Sequence, residues 1–472
     1  MIHIYKYSDL NIALDVYSGA VHTVSEAAYG ILSYVELVQA APGNTMGSER
    51  EGADIFAEAI EKLSGKFEKS ELDEAAEELR ELAEKGLLQS GPPEGFAASP
   101  ENRGAVIKAM CLHAAHDCNM RCAYCFAEAG GYSGEKSLLP YETGKAAIDF
   151  LLGHSGQRRN LEVDFFGGEP LMNFDAVRQI VLYAREAEKK PGKNIRFTIT
   201  TNGLLLDDEA RAFINEHFYN AVISLDGRRE TNDRVRKTPD GGGTYDLILD
   251  NLLEFARSRD IDNKLYYVRG TYTSWNKDFA KDVKHLAELG FKNISMEPVV
   301  SDLSLPYSLS EKDLPELYEE YDRLARLCEE TGQDGKPFEF FHFKVDLSQG
   351  PCIFKRVAGC GAGTEYIAVT PSGDIYPCHR FAGDAKFLLG NVHDEIFENP
   401  MYGLFNEAHV ESKPKCRGCW AKYYCSGGCH ANAYFENGSI SEPHLLSCEL
   451  EKKRLELAIG ISVSDLLMDR PA

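Results

Sequence analysis

The chain has 472 residues, with 51 Lys+Arg against 74 Asp+Glu and a formal net charge of −23. Its apolar share of 43% and charged share of 26% are those of an ordinary globular protein. The acidity argues against nucleic-acid and anionic-membrane partners, which demand a basic face. No apolar run reaches a bilayer's thickness and the start Met1-Ile-His-Ile-Tyr has no signal-peptide pattern, so a cytoplasmic protein of two or three domains is expected.

Residues 1–95 read as one small unit. Three short β-like runs come first, at Ile2–Tyr7, Asn11–Tyr17 and Ala20–Val24, with Ser18-Gly19 as a turn. Thr23-Val-Ser-Glu26 predicts a capping box for a helix whose Ile31, Leu32, Val35 and Val38 share a face. A loop is expected over 41–52, a short helix over 53–63, and a strong helix over Glu71–Lys85 stopped by Gly86. Ser90-Gly-Pro-Pro-Glu-Gly is a linker. Three strands with three helices suggest a winged-helix-like module. Its last helix carries seven acids and only Arg80 and Lys85 as bases, a face that repels phosphate.

Residues 101–335 alternate strands and helices. Strands are predicted at Val106–Leu112, Leu161–Phe166, Ile195–Thr200, Ala221–Leu225, Leu265–Thr271 and Asn293–Val299. Helices are predicted at Tyr141–Leu152, Asp175–Lys189, Asp207–His217, Thr244–Ser258, Lys277–Leu289 and Glu311–Glu330. Consecutive βα units imply a parallel sheet, either doubly wound or a partial barrel. The unusual residues favour a barrel, because they fall at carboxyl ends of strands, where such folds build their sites.

After the first strand comes Cys118-Asn-Met-Arg-Cys122-Ala-Tyr-Cys125. Three thiolates turned to one point leave one iron of a [4Fe-4S] cluster open for a substrate or second cofactor. Zinc, with nearby His116 as a fourth ligand, is the competing reading. After the second strand comes Gly167-Gly168-Glu169, after the third Thr201-Asn202, and Ser224 and Asp226 close the fourth. Glycines without Cβ atoms let backbone carbonyls approach a ligand, whereas Glu169 could equally be a solvated loop acid and Thr201, Asn202, Ser224 and Asp226 plain turn residues. Arg236 reads as either a ligand-facing or an exposed base, and Glu297 at the end of the sixth strand as a cofactor-facing acid.

The 13 cysteines crowd mostly into two regions, which in a reducing compartment points to metal ligation. The second region reads Cys360-x12-Gly373-x4-Cys378, then Cys416-x2-Cys419-x5-Cys425-x3-Cys429, then Cys448. Zinc ribbons, with His430 at hand, are the alternative. Cys111 and Cys328 fit no pattern and are expected in the core.

Together these motifs resemble the radical S-adenosylmethionine (SAM) enzymes with a SPASM extension, including the aromatic Tyr124 before the third cysteine. Among them the chain is most similar to thioether-forming maturases of SCIFF peptides. The resemblance implies an N-terminal peptide-recognition module (1–95) that takes a leader peptide as an added strand, a partial (β/α)6 TIM-like barrel (101–335), a SPASM domain (350–450) and a C-terminal helix or tail (451–472). It implies three [4Fe-4S] clusters and SAM. Cys118, Cys122 and Cys125 would hold the SAM cluster. Cys360, Cys378 and Cys429, with Cys352 as a further candidate, would hold an inner auxiliary cluster, and Cys416, Cys419, Cys425 and Cys448 an outer one. Gly167, Gly168 and Glu169 would receive the SAM ammonium, Thr201 and Asn202 its methionyl group, Ser224 and Asp226 its ribose, and Arg236 its carboxylate. The implied activity is a cysteine-to-α-carbon thioether in a Cys-rich precursor peptide, with an external one-electron donor such as flavodoxin or ferredoxin. Formylglycine formation and carbon–carbon cross-linking are the rivals within the family. A non-catalytic iron–sulfur electron carrier, or a zinc-bearing regulator, is the rival outside it.

Overall fold

The computed structural model describes residues 1–40, 55–92 and 106–468, apart from 133, 135, 334, 336 and 349. Strands Ile2–Tyr7, Leu10–Asp15 and Val21–Thr23 form an antiparallel sheet in chain order, followed by helices Glu26–Ala40, Ile55–Leu63 and Lys69–Glu84. Both faces of this sheet are buried. Ile2, Ile4 and Ala13 pack with Ile31, Leu32, Val35, Phe56, Leu72 and Leu79 of the helices, while Tyr5, Ile12 and Leu14 pack on Ile459 and Val463 near the carboxyl terminus. The expected box at Thr23 and Glu26 does not form. Ser25 Oγ accepts from Ala28 N, and Glu26 takes Lys6 and Asn11 instead. The third helix starts two residues earlier than expected because Glu68 and Glu71 cap it reciprocally. The expected loop at 41–52, the first turn of the helix expected at 53–63 and the end of the linker lie outside the described residues.

Strands Ala109–His116, Asn160–Gly167, Asn194–Thr201, Asn220–Ser224, Leu265–Tyr272 and Asn293–Pro298 pair in parallel, each beside the next in sequence. A doubly wound sheet would reverse its order at a switch point, so the doubly wound alternative is excluded. The sheet does not close. Tyr366–Val369 pairs outside the first strand and Glu339–Phe340 outside the sixth. Alternation along each strand sets two environments. Leu161, Val163 and Phe165, like Ile195, Phe197 and Ile199, enter the main core with the covering helices, and Asp164, Phe166, Thr198 and Thr200 lie on the other, inner face.

The first strand runs Ala109–His116 rather than the expected 106–112. All eight of its residues are buried, so both faces need small or internally bonded side chains. Two histidines of this strand bond to each other: His113 Nδ1 and His116 Nε2 share a 2.9 Å hydrogen bond. Beyond the sheet, short strands and helices lead to one long helix, Leu445–Met468. It runs unbroken through the expected division at residue 450. No helix of the described residues is long and apolar enough to cross a membrane.

Candidate functional site

The cysteine loop is clamped from three sides. Asp117 Oδ1 accepts from Cys118 N (2.8 Å) and pairs with Lys136 (2.7 Å). Arg121 Nη1 donates to the carbonyls of Cys118 (2.6 Å) and Met120 (2.8 Å). Arg121–Cys122 forms a two-residue antiparallel ladder with Arg236–Lys237. Cys118, Cys122 and Cys125 carry no disulfide. Burial pushes the Cys118 thiol up to about 12 and the Cys122 thiol up to about 11. Three free thiols on one short loop are the donor set that an iron–sulfur cluster takes.

The glycine turn packs against the cysteine loop. A Cβ on Gly168 would sit 1.9 Å from the Asp117 carbonyl oxygen, and one on Gly167, at φ +119°, 2.4 Å from that of Ala115. The backbone of the cysteine loop fills this space, so only glycines let that loop pack against the turn. The Gly167 carbonyl already accepts from Tyr132 Oη (3.2 Å). Glu169 is no solvated acid. It is 1% exposed, and accepts from Leu171 N (3.0 Å) and Thr201 Oγ1 (2.8 Å) on one oxygen and Asn202 N (2.7 Å) on the other. Asn202 in turn donates to Asn119 Oδ1 (2.7 Å).

Asp226 and Arg236 are likewise buried, which removes the exposed-base reading of Arg236. Asp226 Oδ2 accepts from Tyr124 Oη (2.7 Å) and Oδ1 from Thr271 N (3.0 Å), while Arg236 Nη1 donates to Tyr124 Oη (3.0 Å). Burial raises the Asp226 carboxyl and the Arg236 cation opposes that rise. The Arg236 Nε is buried without a partner among the described residues. Ser224 is half-buried, in register with Arg269. Glu297 is not free for a cofactor. His342 Nε2 (3.2 Å) and Arg454 Nη1 (3.3 Å) hold it. His116 shares its Nε2 with His113 and stacks on Tyr132 at 4.7 Å.

In the second region, Cys416, Cys419, Cys425 and Cys448 line one cavity of about 250 Å³, together with Lys415 and Lys452. Among the described residues no three His, Cys, Asp or Glu side chains converge on a point as a single metal ion requires. Four thiols around a cavity of that size fit a cluster better than zinc, whose ligands must all lie within about 2.3 Å of one centre. Cys378 is buried while Cys360 and Cys429 reach the surface. Burial pushes the Cys378 thiol up to about 12, and Cys429 and Cys360 are near enough to add to this. Cys352 is exposed and precedes the short helix Ile353–Arg356. His430 lies flat against Phe405, ring centres 5.5 Å apart. Cys111 is buried as expected, and Cys328 is only half-buried.

Sequence reasoning missed Tyr132, Asp164 and Arg454. Tyr132 packs between His113 and His116 and bonds Gly167. Asp164, on the inner face beside Cys111, has its carboxyl raised to about 6 by burial. Only the period-2 alternation of its strand carried a signal for it.

Residues 114–290 match the model of the radical SAM superfamily, and 360–420 that of SPASM, an iron–sulfur cluster-binding domain. The cysteine-type anaerobic sulfatase-maturating enzyme of Clostridium novyi (strain NT) is 25% identical over 373 residues, covering 74% of this chain and 94% of that one. The mycofactocin maturase MftC of Mycolicibacterium smegmatis is 26% identical over 357 residues, covering 72% and 83%. Among solved structures, anSMEcpe with bound AdoMet superposes with a TM-score of 0.62 at 21% identity, over 76% of this chain and 99% of that one. Streptococcus suis SuiB bound to precursor peptide SuiA gives 0.51 at 18% identity, over 94% and 97%.

Proposed function

We propose that this enzyme, which carries a radical SAM domain over 114–290 and an iron–sulfur-binding SPASM domain over 360–420, joins a cysteine sulfur to an α-carbon in a Cys-rich precursor peptide. Cys118, Cys122 and Cys125 would hold an iron–sulfur cluster, which with SAM would supply the radical chemistry that side chains lack. The chain's own residues bind, orient and shield.

The observation that carries the reading is a pair of buried, incompletely used charges beside the three thiols. Glu169 accepts three hydrogen bonds of roughly four that a carboxylate can take. Arg236 keeps a buried Nε donor without a partner among the described residues. A free acceptor on an anion and a free donor on a cation suit the ammonium and carboxylate of one α-amino-acid group, such as the methionyl end of SAM. Thr201 and Asn202 hold Glu169 in place. Tyr124, Asp226 and Ser224 border the position its ribose would take. Gly167 and Gly168 set the depth of the pocket by fixing the cysteine loop.

The remaining assignments follow the same reading. Cys360, Cys378 and Cys429 hold an inner cluster, and Cys352 is close enough in sequence to be tested as a further ligand. Cys416, Cys419, Cys425 and Cys448 hold the outer one, for three clusters in all. Residues 1–95 bind the leader as a winged-helix-like unit, 101–335 form the partial barrel, 350–450 the two-cluster domain, and 451–472 complete the last helix. The peptide lies in the polar inner face of the sheet and loses two hydrogens per cross-link. An external one-electron donor primes each turnover, in the cytoplasm. Likeness to SuiB over nearly the whole chain, N-terminal unit included, favours a leader-bearing peptide over a sulfatase, the substrate of the second reading.

Anaerobic reconstitution tests this directly. About twelve irons per chain, 5′-deoxyadenosine release with SAM and reductant, and a Cys-rich peptide lighter by two hydrogens per cross-link are expected. Bound zinc, or clusters without SAM cleavage, would refute it.

A further inference from the structure

Two buried lysines lie in the second cysteine region, and they are held differently. Lys422 is 2% exposed and pairs with Glu411 (3.0 Å). Lys413 is fully buried and makes no ion pair among the described residues. Its Nζ donates one hydrogen bond, to the Gly427 carbonyl (2.9 Å), although an ammonium has more donors than that. Gly427 is the middle of Cys425-Ser-Gly-Gly-Cys429, the segment that joins the two cysteine groups. Ser426, Gly427 and Gly428 all take left-handed backbone (φ +60°, +89° and +73°), and this tight turn leaves the Gly427 carbonyl facing Lys413. The carbonyl of Lys413 accepts from Cys416 N (3.0 Å). Burial lowers the Lys413 ammonium, and Cys416, Cys425, Cys429 and Cys448 lie near enough to oppose this. The acids that line the four-cysteine cavity are taken by other cations, Glu449 by Lys452 (2.7 Å) and Glu451 by Arg454. A buried ammonium without an anion is costly, so the surroundings of Lys413 suit a negative group that the carboxylates do not supply.

We infer that Lys413 is the buried counter-charge shared by the two auxiliary clusters and that it raises the reduction potential of each. This rests on the reading that Cys360, Cys378 and Cys429 hold one cluster and Cys416, Cys419, Cys425 and Cys448 the other. Four thiolates outweigh the positive charge of an iron–sulfur core, so such a cluster is anionic, and its potential follows net charge, hydrogen bonds and solvent access. Lys413 is sealed from water, so its field is little screened. Lys415 and Lys452 border the same cavity, but they reach solvent and pair with Glu442 (3.3 Å) and Glu449. A fixed cation favours uptake of one electron, which adds one negative charge to a cluster and moves no proton. In the proposed reaction that electron is the one left over when a thiolate pair and a carbon-centred radical form a two-electron bond.

The test uses the full chain with Cys118, Cys122 and Cys125 replaced by alanine, so that only the auxiliary clusters are read. After anaerobic reconstitution, iron is counted and midpoint potentials are taken from a redox titration followed by electron paramagnetic resonance. About eight irons per chain are expected in this background. Lys413→Met, neutral and of similar length, should keep them and move both midpoints negative. The expected shift is a tenfold loss in the reduction equilibrium, or about 59 mV for one electron. Lys413→Gln, neutral and still able to donate a hydrogen bond, should do the same. Lys415→Met, at the solvent-facing lysine, should leave both midpoints nearly unmoved. Unmoved midpoints in the Lys413 variants would overturn the inference. So would an equal shift from Lys415→Met, or loss of iron from both Lys413 variants, which would show that the lysine holds the Cys425–Cys429 turn rather than the charge. Bound zinc, or fewer than about eight irons, in the background with Lys413 intact would instead strike the cluster assignment beneath it.

Discussion

Replacing Gly168 by alanine tests how the cysteine loop is held. The new Cβ would lie 1.9 Å from the Asp117 carbonyl oxygen, 2.5 Å from its carbon and 3.1 Å from the Gly130 Cα. All three are backbone atoms, so no rotamer change relieves the clash, and the turn and loop must part by about 1 Å. Two bonds close this contact: Gly168 N to Ala115 O (2.7 Å) and Glu169 N to Asp117 O (2.9 Å). Stretching both forfeits about 1 kcal/mol each, and overpacking adds about 1–3 kcal/mol, for a total of roughly 3–5 kcal/mol. Cys118 follows Asp117 directly and moves with it. Gly168→Ala is therefore expected to fall from about twelve irons to about eight on reconstitution, while the four-cysteine cavity keeps its share. Gly131→Ala, whose Cβ would meet nothing nearer than 3.5 Å, serves as the control and should load fully. A Gly168→Ala protein with full iron and an unshifted unfolding midpoint would refute the argument.

Three further outcomes follow from the buried charges. Glu169→Gln should lower stability by about 1–3 kcal/mol, because either orientation of its amide strands a buried backbone N–H, that of Leu171 or that of Asn202. Equilibrium dialysis should show SAM binding at least about tenfold weaker for it. Arg236→Met removes the cation that opposes the burial of Asp226 and should cost about 3–5 kcal/mol in denaturant melts. Adding Asp226→Asn should recover part of that loss, and strict additivity would argue against the coupling. Asp164 has its folded carboxyl raised to about 6 from 3.8, by burial first and Glu162 second. A raised carboxyl favours the protonated folded state, so stability is lost as pH rises from about 4 to about 6. Asp164→Asn should match the parent below pH 4 and exceed it at pH 8 by about 2–3 kcal/mol, measured from midpoints at both pH values.

Much of this architecture is legible in the chain. The period-2 strands at 160–167 and 194–201 showed which residues face the core, because one face is largely apolar. The cysteine spacing singled out four residues that the fold brings round one cavity, although Cys448 lies 23 residues beyond Cys425. What stayed hidden depends on partners distant in sequence. Nothing local says that Gly168 faces the Asp117 carbonyl, or that Glu169 is sealed by Thr201 and Asn202. The first strand was misplaced because Ala114, Ala115 and two histidines have weak β propensity, and only the His113–His116 bond lets both rings be buried.

The last helix was the least legible element and does the most joining. It shows no single apolar stripe, because different partners cover its sides. Cys448 borders the four-cysteine cavity. Arg454 reaches Glu297 on the sixth strand, and Leu450, Leu457 and Ala458 enter the main core. Glu456 bonds His3 (2.9 Å) and its carbonyl accepts from Tyr5 Oη (3.0 Å). Gly460 lies so close to Tyr7 that a Cβ there would be 2.3 Å from the ring. From Cys448 to Gly460 the axis advances about 18 Å. One rigid rod thus fixes the distance between the N-terminal sheet, the inner face of the parallel sheet and the four-cysteine cavity. A helix covered on all sides loses the sequence signature of an amphipathic one, so the chain that reads as a tail is the strut that sets the spacing of these three parts.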